Sequence, residues 1–556
     1  MKKLYFIAVL FVSQIALAQV TNEATPRGWD LTFKSQPQKI SMPQFDQATL
    51  EQEDALASFE LTKPYRFGEK IPVDLNLFNS GQWSDLDNGD RLWRLNIESS
   101  GAKTINLLFD RYELPVGAEL YLYNDGHTDK IGPYTHKENQ EDGILGSWIV
   151  YGDNIWLEYY EPASVKNQGR ISIENVVHGY RGFGEEEVSF LKLNESGSCN
   201  VDMMCDPNQG SSNGQDWTTI RNNYRHAVAR VIINGNGLCT GTLVNNVRED
   251  ATPYFLTANH CLSTADGSST SYNASNLSFG FDWFTNTPDC ATTSDTFGDF
   301  NPRRILTGAT LKANRGASDV ALLEINQTPP AIWNLYYGGW NNGSSAASSQ
   351  ISFHHPSGDI MKLARNDQFT FAQTVTGVAC WTISDWDYGV TEGGSSGSCL
   401  VNQNGQIVGQ LLGGGAACTG TDGNGTTDNG APDYYGRMDT SWAGGFNSAT
   451  RLRDWLDPDN TGATFVNGDY YDVLSNDEVN TIMNIQLYPN PSRGIFNVVL
   501  ENPASYGVYD LSGKLIRSGS FNQIENQLDI QNLSSGIYFL KVEDGNNSIT
   551  EKISKI

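Results

Sequence analysis

Glu392-Gly393-Gly394-Ser395-Ser396-Gly397-Ser398 sets a serine in a glycine-rich turn, and the reading of the chain works outward from it. Flanking glycines let the backbone make a tight turn that aims two N–H groups at a developing oxyanion. A hydroxyl becomes a strong nucleophile beside a neutral imidazole, and that imidazole needs a buried carboxylate to orient it. Two upstream stretches offer both groups. Phe255-Leu256-Thr257-Ala258-Asn259-His260-Cys261 is an apolar strand running into a histidine, and Ala317-Ser318-Asp319-Val320-Ala321-Leu322-Leu323 puts an aspartate at the mouth of a buried strand. Each piece alone arises by chance in a Gly- and Ser-rich chain. All three in order, each at a strand end, point to nucleophilic catalysis.

Chain order separates the folds that share this chemistry. His, then Asp, then Ser is the chymotrypsin order; subtilisins run Asp, His, Ser and α/β-hydrolases Ser, Asp/Glu, His. Composition agrees with an all-β chain. Only 18% of residues are charged, and 55 Gly and 24 Tyr suit turn-rich β structure while excluding a coiled coil or a charged disordered chain. At 556 residues a single core is excluded, and three or four domains are expected. The formal charge of −27 offers nothing to phosphate backbones or anionic lipid, so nucleic acid is not an expected partner.

Residues 1–18 read as a signal peptide: Lys2-Lys3 is the positive start, Leu4–Val12 the apolar run and Ala16-Leu17-Ala18 the cleavage site. That run is too short to span a bilayer and no other long apolar run exists, so no transmembrane segment is expected in the mature chain. The eight cysteines all lie between Cys199 and Cys418 without a C-x-x-C pair. In an exported chain they read as up to four disulfides in one domain and not as a metal site. Residues 19–192 lack cysteine and show alternating strands at Leu92–Glu98, Thr104–Phe109 and Glu119–Tyr123, which predicts a β-sandwich. Residues 193–468 carry every cysteine and one late helix, Ser448–Asp457, with Leu452, Trp455 and Leu456 on one face. A polar linker, 469–484, leads to a small Ig-like all-β unit, 485–556, with strands near Gly494–Leu500, Ser505–Asp510 and Gly536–Val542.

Over 195–468 the middle region resembles the lysyl endopeptidases, chymotrypsin-like bacterial proteases that cut after Lys. The match runs through Ser196-Gly-Ser-Cys199, Cys239-Thr-Gly-Thr-Leu-Val-Asn-Asn246, His354-His355-Pro356, Val390-Thr-Glu392, Gly409-Gln410, Tyr435-Gly436-Arg437 and Asp454-Trp455-Leu456-Asp457-Pro458. The resemblance implies a double β-barrel with His260 as general base, Asp319 as its orienter and Ser396 as nucleophile. It makes Gly394 and Ser396 the oxyanion-hole donors and Asp433 the carboxylate at the base of the substrate pocket, where a fixed anion suits an ammonium on a four-carbon stem. It also implies bridges Cys199–Cys418, Cys205–Cys290 and Cys239–Cys261; the two cysteines then left, Cys380 and Cys399, are expected to form a fourth. No cofactor is implied.

Several positions depart from the pattern. Ser395 stands where chymotrypsin relatives carry an aspartate that pairs with a new N-terminus, a change the lysyl endopeptidases share. Leu411-Leu412 occupies the place of a family histidine, and its aromatic partner is not evident. His354-His355 could suggest a metal pair, but neighbours on a strand face opposite ways, so structural hydrogen bonding is expected. Asp422-Gly423-Asn424-Gly425 and Asp428 miss the spacing of known calcium loops.

Lysine usage gives a separate hint. Residues 1–192 hold 11 Lys and residues 469–556 hold 4, whereas 193–468 hold only Lys312 and Lys362 beside 11 Arg. Self-resistance of an enzyme that cuts after Lys predicts that scarcity; compositional drift in an acidic domain is the bland account.

Residues 19–192 resemble the β-rich propeptide of such proteases, a permanent binding domain being the alternative. Lys192 precedes Glu195-Ser-Gly-Ser-Cys199, so self-release is expected near it. The tail resembles the type IX secretion sorting domain through Leu487-Tyr488-Pro489-Asn490-Pro491, Val508-Tyr509-Asp510-Leu511-Ser512-Gly513-Lys514 and Gly536-Ile537-Tyr538. Expected partners are therefore protein and peptide substrates, the chain's own propeptide and the type IX machinery, with secretion or cell-surface attachment as the destination. Two other functions stay open: a trypsin-like enzyme accepting Arg and Lys equally, and a silent protease fold acting as a surface binding protein.

Overall fold

A computed structural model describes residues 20–57, 64–181, 196–262, 273–286, 288, 290, 303–418, 429–471, 485–488, 490–500, 504–510, 514–523, 525–543 and 548–556. The signal peptide, Lys192, the Asp422–Asp428 loop and residues 472–484 of the linker lie outside them. The chain divides into one unit up to Tyr471 and a second from Asp472. Among the described residues no helix is long and apolar enough to cross a membrane.

The chain is mostly β, as expected, and the burial pattern of each layer follows from where its strands lie. Two sheets face each other between residues 39 and 179. One runs Lys39–Ser41, Arg91–Glu98, Asn154–Glu161, Glu119–Tyr123, Lys130–Tyr134; the other is built on Thr104–Glu113, Arg170–Gly179 and Gly68–Asn76. Alternate residues meet in one core: Leu95, Ile97, Leu120, Leu122, Ile155 and Leu157 from the first sheet against Ile105, Leu107, Phe109, Ile171 and Ile173 from the second. That is period-two burial of a sandwich.

Between Val201 and Val466 lie two further, mainly antiparallel sheets, the double barrel expected. The first is ordered Arg304–Thr307, Ser278–Phe281, Val228–Ile233, Gly237–Leu243, Tyr254–Ala258, Val320–Ile325, Ala309–Arg315. Its central strands are buried at every residue, which explains their unbroken apolar sequence. Ala229, Val231, Cys239 and Phe255 point into the barrel, while Val228, Val244 and Leu256 face the second one. Ile232, Leu238 and Ile305 instead join the core of the upstream sandwich. Trp148 of that sandwich packs against Gly280, where a Cβ would sit 2.4 Å from its ring. Sandwich and first barrel thus share one apolar interior.

The second barrel is built from Lys362–Asn366, Gln350–His354, Cys399–Asn402, Gln406–Gly414, Asp433–Arg437, Val378–Ile383 and Phe371–Val375 in that order. The expected late helix is interrupted. Ser448–Thr450 forms a 3-10 turn and Arg453–Leu456 a short α-helix, because Arg451 between them takes an extended backbone and pairs with Asp454 at 2.7 Å. Leu452 and Leu456 still reach the core.

The second unit packs Ile485–Tyr488, Ile495–Leu500 and Glu525–Asp529 against Leu515–Phe521, Ala504–Tyr509, Gly536–Glu543 and Ser548–Lys555. Phe496, Val498, Val508, Leu528, Leu540 and Ile553 fill its core.

Candidate active site

Strand register brings His260 and Asp319 together. Ala258 pairs with Val320 in the first barrel, so the residues continuing past that pair, Asn259-His260 on one strand and Asp319 on the other, are neighbours. Asp319 sits in the left-handed region at φ +50°, which a short polar side chain tolerates. Its Oδ1 accepts the His260 N–H at 2.9 Å and its Oδ2 lies 2.8 Å from His260 Nδ1. Both side chains are almost wholly buried. Gln410 Nε2, from the second barrel, donates to the Ser318 carbonyl at 2.8 Å and the Asp319 carbonyl at 3.2 Å, which fixes the turn across the junction.

The Ser396 turn is tied to the adjacent strand, Gly237–Leu243, which pairs with Tyr254–Ala258. Thr240 N donates to the Ser396 carbonyl at 2.8 Å, and Thr240 Oγ1 donates to the Gly394 carbonyl at 2.9 Å. The sulfur of Cys261, next to His260, lies 3.7 Å from the Ser396 carbonyl. Gly397 has no room for a side chain: φ is +82° and a Cβ would meet Thr257 Oγ1 at 2.2 Å and the Thr240 carbonyl at 2.4 Å. The N–H groups of Ser395, Gly397 and Ser398 go to the carbonyls of Glu392, Leu411 and Ser395.

Ser395 occupies a neutral network. Its hydroxyl accepts the Glu392 N–H at 3.2 Å and lies 2.8 Å from His354 Nδ1. Burial, and after it the nearby Lys362 cation, hold the His354 imidazole down at about 3. His355 is also at about 3, through burial and the nearby Arg230, and its Nδ1 lies 3.0 Å from the Asp359 carbonyl. Their ring nitrogens go to different partners, as structural hydrogen bonding requires.

Asp433 is buried at the end of the Asp433–Arg437 strand, opposite Gly414 and Ile383. Its Oδ2 accepts from Trp386 Nε1 at 2.8 Å and from Thr391 Oγ1 at 2.6 Å. A Cβ on Gly414 would fall 1.9 Å from Oδ1, so only glycine fits beside this carboxylate. The Gln406–Gly414 strand therefore carries contacts to all three places: Gln410 to the Asp319 turn, Leu411 to the Ser396 turn and Gly414 to Asp433.

Residues 193–436 match the family described as lysyl endopeptidase, C-terminal domain, and residues 486–555 match the secretion system C-terminal sorting domain. The lysyl endopeptidase of Pseudomonas aeruginosa is 29% identical over 361 residues, covering 61% of this chain and 72% of that one. The chain is a serine endopeptidase, similar over residues 193–436 to the lysyl endopeptidases. Its sorting domain marks it for secretion, to the extracellular space or the cell surface. Solved structures with a similar fold include a Mycobacterium tuberculosis protein in an inactive form, at 16% identity and TM-score 0.25 over 42% of this chain and 88% of that one. A Glu endopeptidase matches at 16% identity and TM-score 0.23, over 38% and 86%.

Three of the disulfides implied by the resemblance are present in this serine endopeptidase: Cys199–Cys418, Cys205–Cys290 and Cys239–Cys261. The fourth is not. Cys380 and Cys399 are free and buried. Cys399 pairs with Gln410, Gln410 with Gly436 and Gly436 with Cys380, so the two thiols sit three strand spacings apart on one row. That is about 14 Å, twice the reach of a disulfide. Burial pushes both thiols up to about 12.

Leu411 and Leu412 are both buried. Leu411 packs with Trp386 and Tyr435, and Leu412 turns the other way onto Val378 and Cys380. The sequence reading missed Trp386, Thr391 and Thr240. Thr391 was within the quoted Val390-Thr-Glu392 and Thr240 within Cys239-Thr-Gly-Thr; Trp386 had no local signal. Lys362 is buried against Asp202 and Asp359, and Lys312 pairs with Glu324 at 2.6 Å.

Proposed function

We propose that residues 193–468 hydrolyse peptide bonds after basic residues, Lys before Arg, through an acyl-enzyme on Ser396. The carrying observation is the buried 2.8 Å contact between His260 Nδ1 and Asp319 Oδ2, beside a serine turn bound to the strand that pairs with the one leading into His260. His260 takes the Ser396 proton and later gives it to the leaving amine, while Asp319 holds the ring and stabilises the imidazolium. Gly394 and Ser396, the positions the resemblance assigns, are the donors for the oxyanion, while the N–H groups of Ser395, Gly397 and Ser398 are committed to carbonyls.

Asp433 supplies the charge that selects a basic side chain. Oδ2 already accepts two hydrogen bonds, so a guanidinium has no second oxygen to fork onto, whereas an ammonium needs only one. The lysine scarcity of 193–468 and the engagement of both its lysines support the same preference.

Residues 1–18 are removed on export, 19–192 act as a propeptide cut near Lys192, and 485–556 follow a linker as the sorting unit. Fluorophosphonate labelling tests the nucleophile: it should mark Ser396, vanish in Ser396→Ala and persist in Ser395→Ala. Mass spectrometry of cleavage products from a mixed proteome tests specificity. Equal cutting after Arg and Lys would leave a trypsin-like enzyme, and no labelling would leave the silent binding protein.

A further inference from the structure

Among the described residues the pro-region touches the cleft through Pro64–Arg66, and the contact has the form of a bound chain. Tyr65–Arg66 adds to the first barrel as an antiparallel strand, Tyr65 opposite Leu238 and Arg66 opposite Gly237. Those two residues immediately precede Cys239, whose bridge to Cys261 holds the His260 turn. On the other side, the Tyr65 ring lies against Gly393, where a Cβ would sit 2.8 Å from it, one residue before Gly394. Pro64 is buried and packs on Gly237. The strand thus bridges the histidine-bearing and serine-bearing sides of the site.

A two-residue strand does not persist unaided. This one is clamped by Asp54, a buried carboxylate that accepts from Arg66 Nε at 2.7 Å and Tyr180 Oη at 2.5 Å and pairs with Arg181 at 2.9 Å. Arg66 also reaches Glu53 at 3.0 Å, and the Arg181 guanidinium lies 4.9 Å over the Tyr65 ring. Strand addition of this kind is how an extended peptide is held by its main chain, with side-chain contacts adding selectivity.

We infer that the pro-region silences the enzyme from the leaving-group side of the cleft, with Pro64–Arg66 lying where a substrate's residues beyond the cut would lie. This rests on the proposed roles of His260 and Ser396 and on the basic preference. Its chemistry is self-consistent. In sequence Pro64 follows Lys63, so the bond leading into the strand is a Lys–Pro bond. Acyl transfer requires the histidine to protonate the leaving nitrogen as the C–N bond breaks. A proline nitrogen carries a ring carbon where other residues carry hydrogen, and that ring crowds the approach. A Lys–Pro bond is by its chemistry one that an after-Lys enzyme turns over poorly.

The test uses the full chain with Lys192→Gln, which keeps the pro-region attached, and a Lys peptide extending several residues past the Lys. This chain should cut that peptide far more slowly than the processed enzyme. Adding Tyr65→Ala or Arg66→Ala should raise the rate about tenfold or more, the effect of losing one aromatic or arginine anchor. Tyr65→Phe keeps the ring and should stay slow. Pro64→Ala should yield a fragment beginning at residue 64. Thermal melts of each variant show whether it has folded. Cooperatively folded Tyr65→Ala and Arg66→Ala chains that remain as slow as their parent would overturn the inference. A processed enzyme that no fluorophosphonate labels would overturn the underlying reading as well.

Discussion

Asp433→Asn bears most directly on specificity, and its size can be worked from the geometry. The carboxylate is buried, with Oδ2 held by Trp386 and Thr391 and Oδ1 bordered by Gly414. A substrate ammonium about 2.8 Å from a carboxylate oxygen gains about 6 kcal/mol at an effective dielectric of about 20. Of that, about 2–5 kcal/mol survives desolvation of the two charges, or about 30- to 5,000-fold in kcat/KM. Asparagine is isosteric, and its carboxamide oxygen can keep both bonds to Trp386 and Thr391, so the site should stay intact. Its NH2 then faces the ammonium and adds a repulsion. The assay is kcat/KM on a Lys peptide beside the rate of fluorophosphonate labelling, which needs Ser396 but no pocket anion. Lys cleavage should fall across the range above while labelling stays within about threefold, under 1 kcal/mol of barrier. Retained Lys cleavage would refute the pocket assignment. Labelling that fell in parallel would show that Asp433 supports the catalytic turn and does not select the substrate.

Other outcomes follow from contacts already described. Thiol titration of unreduced, denatured enzyme should find Cys380 and Cys399 as two free thiols and the native enzyme should show none; zero thiols in denaturant would restore the fourth bridge. Removing Cys239–Cys261 by a double Ala substitution should cost about 2–5 kcal/mol of stability and slow Ser396 labelling, since the bridge holds the His260 turn against the Ser396 carbonyl; unchanged labelling in a folded variant would contradict that coupling. His354 is held near 3 against an ordinary 6.5, so the unfolded chain binds its proton first. Its contribution is present above pH 6.5 and is lost as pH falls toward 3, by up to about 1.4 kcal/mol per pH unit. Urea midpoints of His354→Gln should therefore show a shallower slope between pH 6 and 4 than wild type, and equal slopes would sink the assignment.

Much of this was legible before any coordinates, for reasons that differ by region. Alternating strands such as Glu119–Tyr123 announce themselves by period, and the sandwich followed. Strands buried on both sides, such as Val228–Ile233, have no period, and only the ordered His, Asp and Ser stretches gave their barrel away. Cys380 and Cys399 show the limit of counting: an even number invites pairing, but the distance between two thiols is set by strand order, which local sequence does not carry. Trp386 was invisible for a related reason, since 47 residues separate it from the carboxylate it donates to. The Ser448–Asp457 pattern correctly marked Leu452 and Leu456 as core, while the break at Arg451 is a backbone choice that hydrophobic spacing does not encode.

On the propeptide and after-Lys readings proposed above, the apolar interior shared by the sandwich and the first barrel would set the kinetics of activation. Cutting one bond near Lys192 leaves Ile232, Leu238 and Ile305 still embedded in the sandwich, so a nicked chain stays as a complex until its partner is destroyed. Eight lysines lie between Val20 and Lys192, against two in 193–468. Each freed enzyme molecule is thus a catalyst for dismantling the sandwiches of its neighbours and a poor substrate for them. Activity in a fresh secretion would rise after a lag that shortens with concentration, an autocatalytic ignition in place of a first-order release.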